Sequence, residues 1–179
     1  MGTINSGKQT QITPMVKEVA KGISGEGIAA IIEISDYIKS MNITTNTEGP
    51  DFSRTADTIL KENKYNGCNE AGVVFATLLR ARGITTTFIQ ALNKDAVINY
   101  SANKPSLNGH VFLEVSLDEG KTKKIVNSTT GEITDTLPKN MIEGGRGLDA
   151  WDMGLRNGFA DLQKMFEERH EQLKKTHVI

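Results

Sequence analysis

Residues 66–83, NGCNEAGVVFATLLRARG, carry the reading that decides the fold. Ala71, Val74, Phe75, Leu78 and Leu79 recur at three- and four-residue steps, which sets them on one stripe of an α-helix. Gly83 suits the C-terminal cap of that helix, because glycine enters the left-handed region without a Cβ penalty. Arg80 and Arg82 fall in the last turn, where cations complement the helix dipole. At the other end Cys68 opens the helix directly behind Gly67. First-turn N–H groups lack intrahelical partners and favour an anion. A cysteine placed there is a candidate thiolate, and its own backbone amide is free to donate to an oxyanion. A lone cysteine is more often a small buried apolar side chain. Such a residue belongs mid-stripe, whereas Cys68 precedes the stripe.

Upstream of this helix the pattern is also helical. Pro14 opens a short helix through Lys21, and Ile28 to Met41 follows with Ile31, Ile32, Tyr37 and Ile38 at helical spacing. Asn46 to Asp51 reads as a loop, and Ser53 is the expected N-cap of a helix carrying Ala56, Ile59 and Leu60. Downstream the period changes. Ile84 to Leu92 is rich in β-formers. Asn93 to Asn108 reads as a polar loop. His110 to Leu117 alternates, with Val111, Leu113, Val115 and Leu117 on one side. Asp118-Glu119-Gly120 is a turn and Thr122 to Asn127 the returning strand. The glycines at 144, 145 and 147 read as a loop. Asn157 to Lys175 closes the chain as a helix with Phe159, Leu162, Met165, Phe166 and Leu173 inward. Helices, then a strand meander, then a helix define a segregated α+β fold with an antiparallel sheet. Residues 1–13 are expected to be a flexible tail, and 14–179 a single domain.

A thiol nucleophile needs a base and a group that orients the base. Three histidines are available. His170 and His177 fall on or past the last helix and read as solvated. His110 opens the alternating strand behind Gly109. If the 118–119 turn is tight, Leu117 faces Gly120, Glu114 faces Lys123, Phe112 faces Ile125 and His110 faces Asn127. Directly opposed residues share a sheet face, so the Asn127 amide oxygen is placed to accept from the imidazole and fix its tautomer.

These residues resemble a known family. Arg54-Thr55-Ala56-Asp57, Gly67-Cys68 with Ala71 and Phe75, Leu78-Leu79-Arg80-Ala81 into Gly83-Ile84, Gly109-His110-Val111-Phe112-Leu113-Glu114-Val115, and Ile125-Val126-Asn127-Ser128-Thr129 are similar to the transglutaminase-like superfamily, with its papain-like core. The resemblance covers residues 54–129. It implies Cys68 as nucleophile, His110 as base and Asn127 as third member, where the family usually has aspartate. It implies attack on an amide to give a thioester. Water as acceptor makes a cysteine peptidase or amidase, the favoured outcome. An amine acceptor makes a transglutaminase, and some relatives are catalytically silent interaction modules. No cofactor is implied. The partner implied is a protein or peptide substrate.

Composition narrows the rest. The 179 residues carry 21 basic and 22 acidic side chains, so no electrostatic footprint for nucleic acid or an anionic membrane is present. One cysteine permits no internal disulfide, and one cysteine with three scattered histidines lacks the spacing of a zinc site. Residues 1–11 lack the apolar run of a signal peptide, so a cytoplasmic location is expected. The oligomeric state is left open. Residues 144–152, with the sole Trp151, lie outside the core match. The tryptophan reads as a packing anchor, with a place in the cleft as the second option.

Overall fold

The structure is a computed structural model and describes residues 5–44 and 52–176. Two helices lead: α1 (Pro14–Lys21), capped by the Thr13 hydroxyl accepting from the Val16 amide, and α2 (Ile28–Ser40). A short parallel pair, β1 (Asn42–Ile43) and β2 (Lys64–Tyr65), brackets α3 (Ala56–Glu62). The expected loop at 46–51 lies outside the described residues. The N-cap of α3 is Thr55, two residues after the expected Ser53; its hydroxyl accepts from the Thr58 amide.

Then comes α4 (Gly67–Ala81), the pivot of the molecule. Every residue from Asn69 to Arg80 is buried. The apolar stripe expected from the sequence faces only part of this environment. Helices α1, α2 and α3 pack on one side of α4, and the sheet packs on the other. Gly72 sets how closely the sheet approaches, since a Cβ there would sit 2.5 Å from Val111 Cγ1 and 3.0 Å from Phe88 Cε2. Gly83, at φ +82°, closes the helix as expected. Arg80 lies in the last turn as expected, but is buried there. It is 2% exposed and donates to the Thr86 carbonyl and the Thr10 hydroxyl.

The sheet has five antiparallel strands in the order β6-β5-β4-β3-β7: β3 (Thr86–Asn93), β4 (Gly109–Leu117), β5 (Thr122–Asn127), β6 (Ile133–Thr134) and β7 (Met141–Gly147). Phe88, Val111, Leu113, Val115 and Val126 face the helices and join the main core. Ile89, Ala91, Phe112 and Ile125 form a smaller apolar cluster on the other face. This is a segregated α+β architecture of helices packed on an antiparallel sheet, ending in α6 (Phe159–Lys175).

Four expectations give way. The glycines at 144, 145 and 147 lie in the edge strand β7, not a loop. A Cβ at Gly144 would meet Leu92 Cγ and Met165 Sδ at 2.8 Å, so the missing side chains let α6 lie on the strand. The 93–108 segment contains a short helix, α5 (Lys94–Ile98), whose N-cap is the Asn93 side chain. Phe159 is 48% exposed, at the start of α6, while Leu162 and Phe166 are buried. Residues 9 and 10 of the expected flexible tail are buried. The Gln9 amide donates to Asp149 Oδ2 at 2.8 Å, and the Gln9 side chain bonds the Phe52 and Arg54 carbonyls. Their polar character hid this role, because the satisfying partners lie over 40 residues away. No described helix is long and apolar enough to cross a membrane.

Candidate active site

The β4–β5 register differs from the expected one by two residues. Leu117 pairs with Thr122 and Phe112 with Asn127, because residues 118–120 form a 3₁₀ turn and pairing resumes only at Thr122. A two-residue displacement keeps every side chain on its face. His110 and Asn127 therefore share a face as diagonal neighbours, and His110 Nε2 lies 2.9 Å from Asn127 Oδ1. Lys123 and Glu114 are likewise diagonal and form an ion pair at 2.9 Å.

Asn127 Oδ1 is the hub of its turn. It accepts from the Thr129 amide at 3.1 Å, the Thr129 hydroxyl at 3.0 Å and the Thr130 amide at 3.3 Å. Backbone N–H groups can only donate, so the oxygen end of the side-chain amide must face them and cannot be exchanged for the nitrogen. The imidazole is consequently the donor through Nε2–H. In the neutral ring that leaves Nδ1 with the lone pair of a base. Phe112 holds the ring edge-on, with centroids 5.0 Å apart.

Cys68 occupies the first turn of α4, partly exposed and packed against the main core. Burial pushes its thiol pKa up. Backbone N–H groups of Val111, Cys68 and Asn69 face the sulfur and pull the other way, but burial dominates. Desolvation of the helix start thus opposes the thiolate more strongly than these amides favour it. Val111 is the residue next to His110. The structure brings Cys68 to the backbone of β4 at that point.

Other groups hold the helix start. Glu70 is 1% exposed; its Oε2 accepts from the Asn66 amide and from Arg54, both at 2.7 Å. Arg54 also pairs with Glu62 at 2.8 Å. Ser128 donates to the Cys68 carbonyl at 3.1 Å. Sequence reasoning passed over Glu70 and Ser128. Glu70 stands four residues after the N-cap Asn66, one position beyond the usual capping-box glutamate, so that pattern did not announce it. Of the two asparagines near Cys68, Asn69 is buried, and the Asn66 side chain forms no capping bond.

The remaining sequence candidates lie elsewhere. His170 is partly buried, with Nδ1 2.8 Å from the Val97 carbonyl and its ring 5.8 Å from Tyr100. It clamps α6 to α5 and is not the solvated residue expected. His177 lies outside the described residues. Trp151 donates through Nε1–H to the Phe52 carbonyl, and the Arg156 guanidinium sits 5.7 Å from its ring centre. Among the described residues no group of three or more His, Cys, Asp or Glu could hold a metal ion.

No family model matches the chain, and no relative is found among curated proteins. Solved structures do match. A Cytophaga hutchinsonii structure named "putative cysteine protease" superposes with a TM-score of 0.61 at 16% identity, over 84% of this chain. The chain spans only 47% of that protein's length. Legionella pneumophila LapG matches with a TM-score of 0.52 at 12% identity, over 92% of this chain and 99% of LapG. The EGTA-treated form of LapG has the same TM-score over 96% of this chain, at 10% identity. At these identities the likeness is one of fold, in keeping with the expected papain-like, transglutaminase-like core.

Proposed function

We propose that the protein is a thiol acyl-transfer enzyme that cleaves amide bonds of a protein or peptide through a Cys68 thioester. The observation that carries this reading is the His110 Nε2–Asn127 Oδ1 bond, fixed by the Thr129 and Thr130 amides, together with a cysteine at a helix start whose sulfur faces the amide of Val111, the residue after His110. The fold likeness to a protein named as a cysteine protease adds support.

The chemistry follows from the tautomer. Cys68 rests as a thiol. As the sulfur attacks the amide carbonyl, His110 Nδ1 takes the S–H proton, and the imidazolium keeps its Nε2–H on Asn127. The carbonyl oxygen becomes an oxyanion to which the Cys68 backbone N–H donates. Collapse breaks the C–N bond, and Nδ1 returns the proton to the departing amine. Water then attacks the thioester with His110 again as base, releasing the acid and the thiol. Asn127 is a positioning residue here, since it holds the base and does not touch the reacting atoms.

The test is covalent trapping from a peptide mixture, with mass analysis of Cys68. Thioester adducts on Cys68 that disappear in His110→Ala, and that resolve to free acid in water, are the expected result. Products that form only with added amine would reassign the acceptor. Absence of any adduct with either acceptor would remove the enzymatic reading.

A further inference from the structure

We propose that Ser128 is a positioning residue of this thiol site: its hydroxyl, donating to the Cys68 carbonyl, locks the start of α4 to the strand pair carrying His110 and Asn127. The proposal rests on the thiol–imidazole reading above.

The geometry forms a closed circuit. Asn127 holds the imidazole through its side chain. The next residue, Ser128, holds the nucleophile's own carbonyl at 3.1 Å. The Ser128 amide donates to the Val111 carbonyl at 3.3 Å, and the Val111 amide faces the Cys68 sulfur. Val111 follows His110 in β4. Two adjacent residues at the end of β5 thus reach base and nucleophile separately. The turn they belong to is itself fixed on α2: Ser35 Oγ donates to the Thr130 carbonyl at 3.3 Å, and a Cβ at Gly131 would sit 2.1 Å from Ser35 Oγ.

Ser128 is 1% exposed. A carbonyl in the first helical turn already accepts from the amide four residues on. The serine bond is therefore an addition that helix formation does not require. What it adds is a fixed offset between helix and sheet. An offset error of about 1 Å between reacting groups costs on the order of 100-fold in rate.

Ser128→Thr and Ser128→Val test this, being the same shape with and without the hydroxyl. The readout is the rate of Cys68 alkylation by iodoacetamide from pH 6 to 9, in each variant alone and combined with His110→Ala, with Tm recorded. The expected result is a loss of about tenfold for Val, recovery with Thr, and no further loss when Val is added to His110→Ala, since partners in one unit are non-additive. A Val variant with the wild-type rate and pH profile, whatever its Tm, would overturn the proposal and leave the thiol–imidazole reading standing. If His110→Ala itself keeps the wild-type profile, the underlying reading falls, and this proposal with it.

Discussion

His110 Nε2 lies 2.9 Å from Asn127 Oδ1 although the two residues are not cross-strand partners. Phe112 takes the position opposite Asn127, and His110 reaches it along the diagonal. The oxygen also accepts from three groups of its own turn, so its role is to present one fixed acceptor to the ring.

That crowding makes aspartate an acceptable substitute. Asn127→Asp offers all four donors an anion and favours the imidazolium. We expect it to retain activity and to move the acid limb of the pH–rate profile to higher pH. Asn127→Ala leaves the part-buried Thr129 amide and Nε2–H without their acceptor, a cost of about 1 kcal/mol, at the low end of the range for unsatisfied donors, and drops turnover at least tenfold. Parallel pH profiles and thermal melts check both.

The raised thiol pKa of Cys68 makes a stability prediction. The folded state holds its proton to higher pH than the unfolded chain, whose single thiol titrates near ~8.5. Between those two values the native state binds more protons, so stability falls as pH rises. The stabilising contribution is complete below the unfolded value. Cys68→Ala is expected to flatten the alkaline side of a Tm-against-pH curve. An unchanged slope would contradict the cause assigned to the shift.

Much of this was legible in the sequence because it is local. The stripe Ala71 to Leu79, the cap at Gly83 and the alternation from Val111 to Leu117 each declare their element within ten residues. The His110–Asn127 partnership survived an incorrect register for a physical reason: the side-chain period is two, and the 3₁₀ turn displaced the pairing by two. What escaped depends on distant partners. Nothing near Gly144 announces a strand, because its glycines answer to Leu92 and Met165. Nothing near Ser128 announces a bond to Cys68, sixty residues earlier. The opposing effect of burial on the Cys68 thiol escaped for the same reason, since helix position was visible and burial was not.

Arg54 provides a stability test. It pairs with Glu70, a carboxylate 1% exposed at the start of α4. Arg54→Met leaves that charge buried with less compensation, a change costing about 3 kcal/mol. For a chain of this size that is roughly 6–12 °C in Tm. A thermal melt of the variant checks it, and Glu70→Gln with Arg54→Met should recover part of the loss.

Gly72 separates helix propensity from packing. Alanine in an open helix would add up to ~1 kcal/mol of stability. Here its Cβ would meet Val111 Cγ1 at 2.5 Å, and overpacking costs about 1–3 kcal/mol. Gly72→Ala should lower stability and, by pushing α4 off β4, slow Cys68 alkylation as well. A stabilised and fully reactive variant would show that the helix–sheet spacing is not set there.

The central claim is that Cys68 and His110 act as one unit. The direct measurement is the rate of Cys68 alkylation against pH in wild type and in His110→Ala. The account predicts a wild-type profile with an acid-side limb that the variant lacks, its reactivity appearing only above the ordinary thiol range. Superimposable profiles would mean that the sulfur does not sense the ring, and would contradict the account.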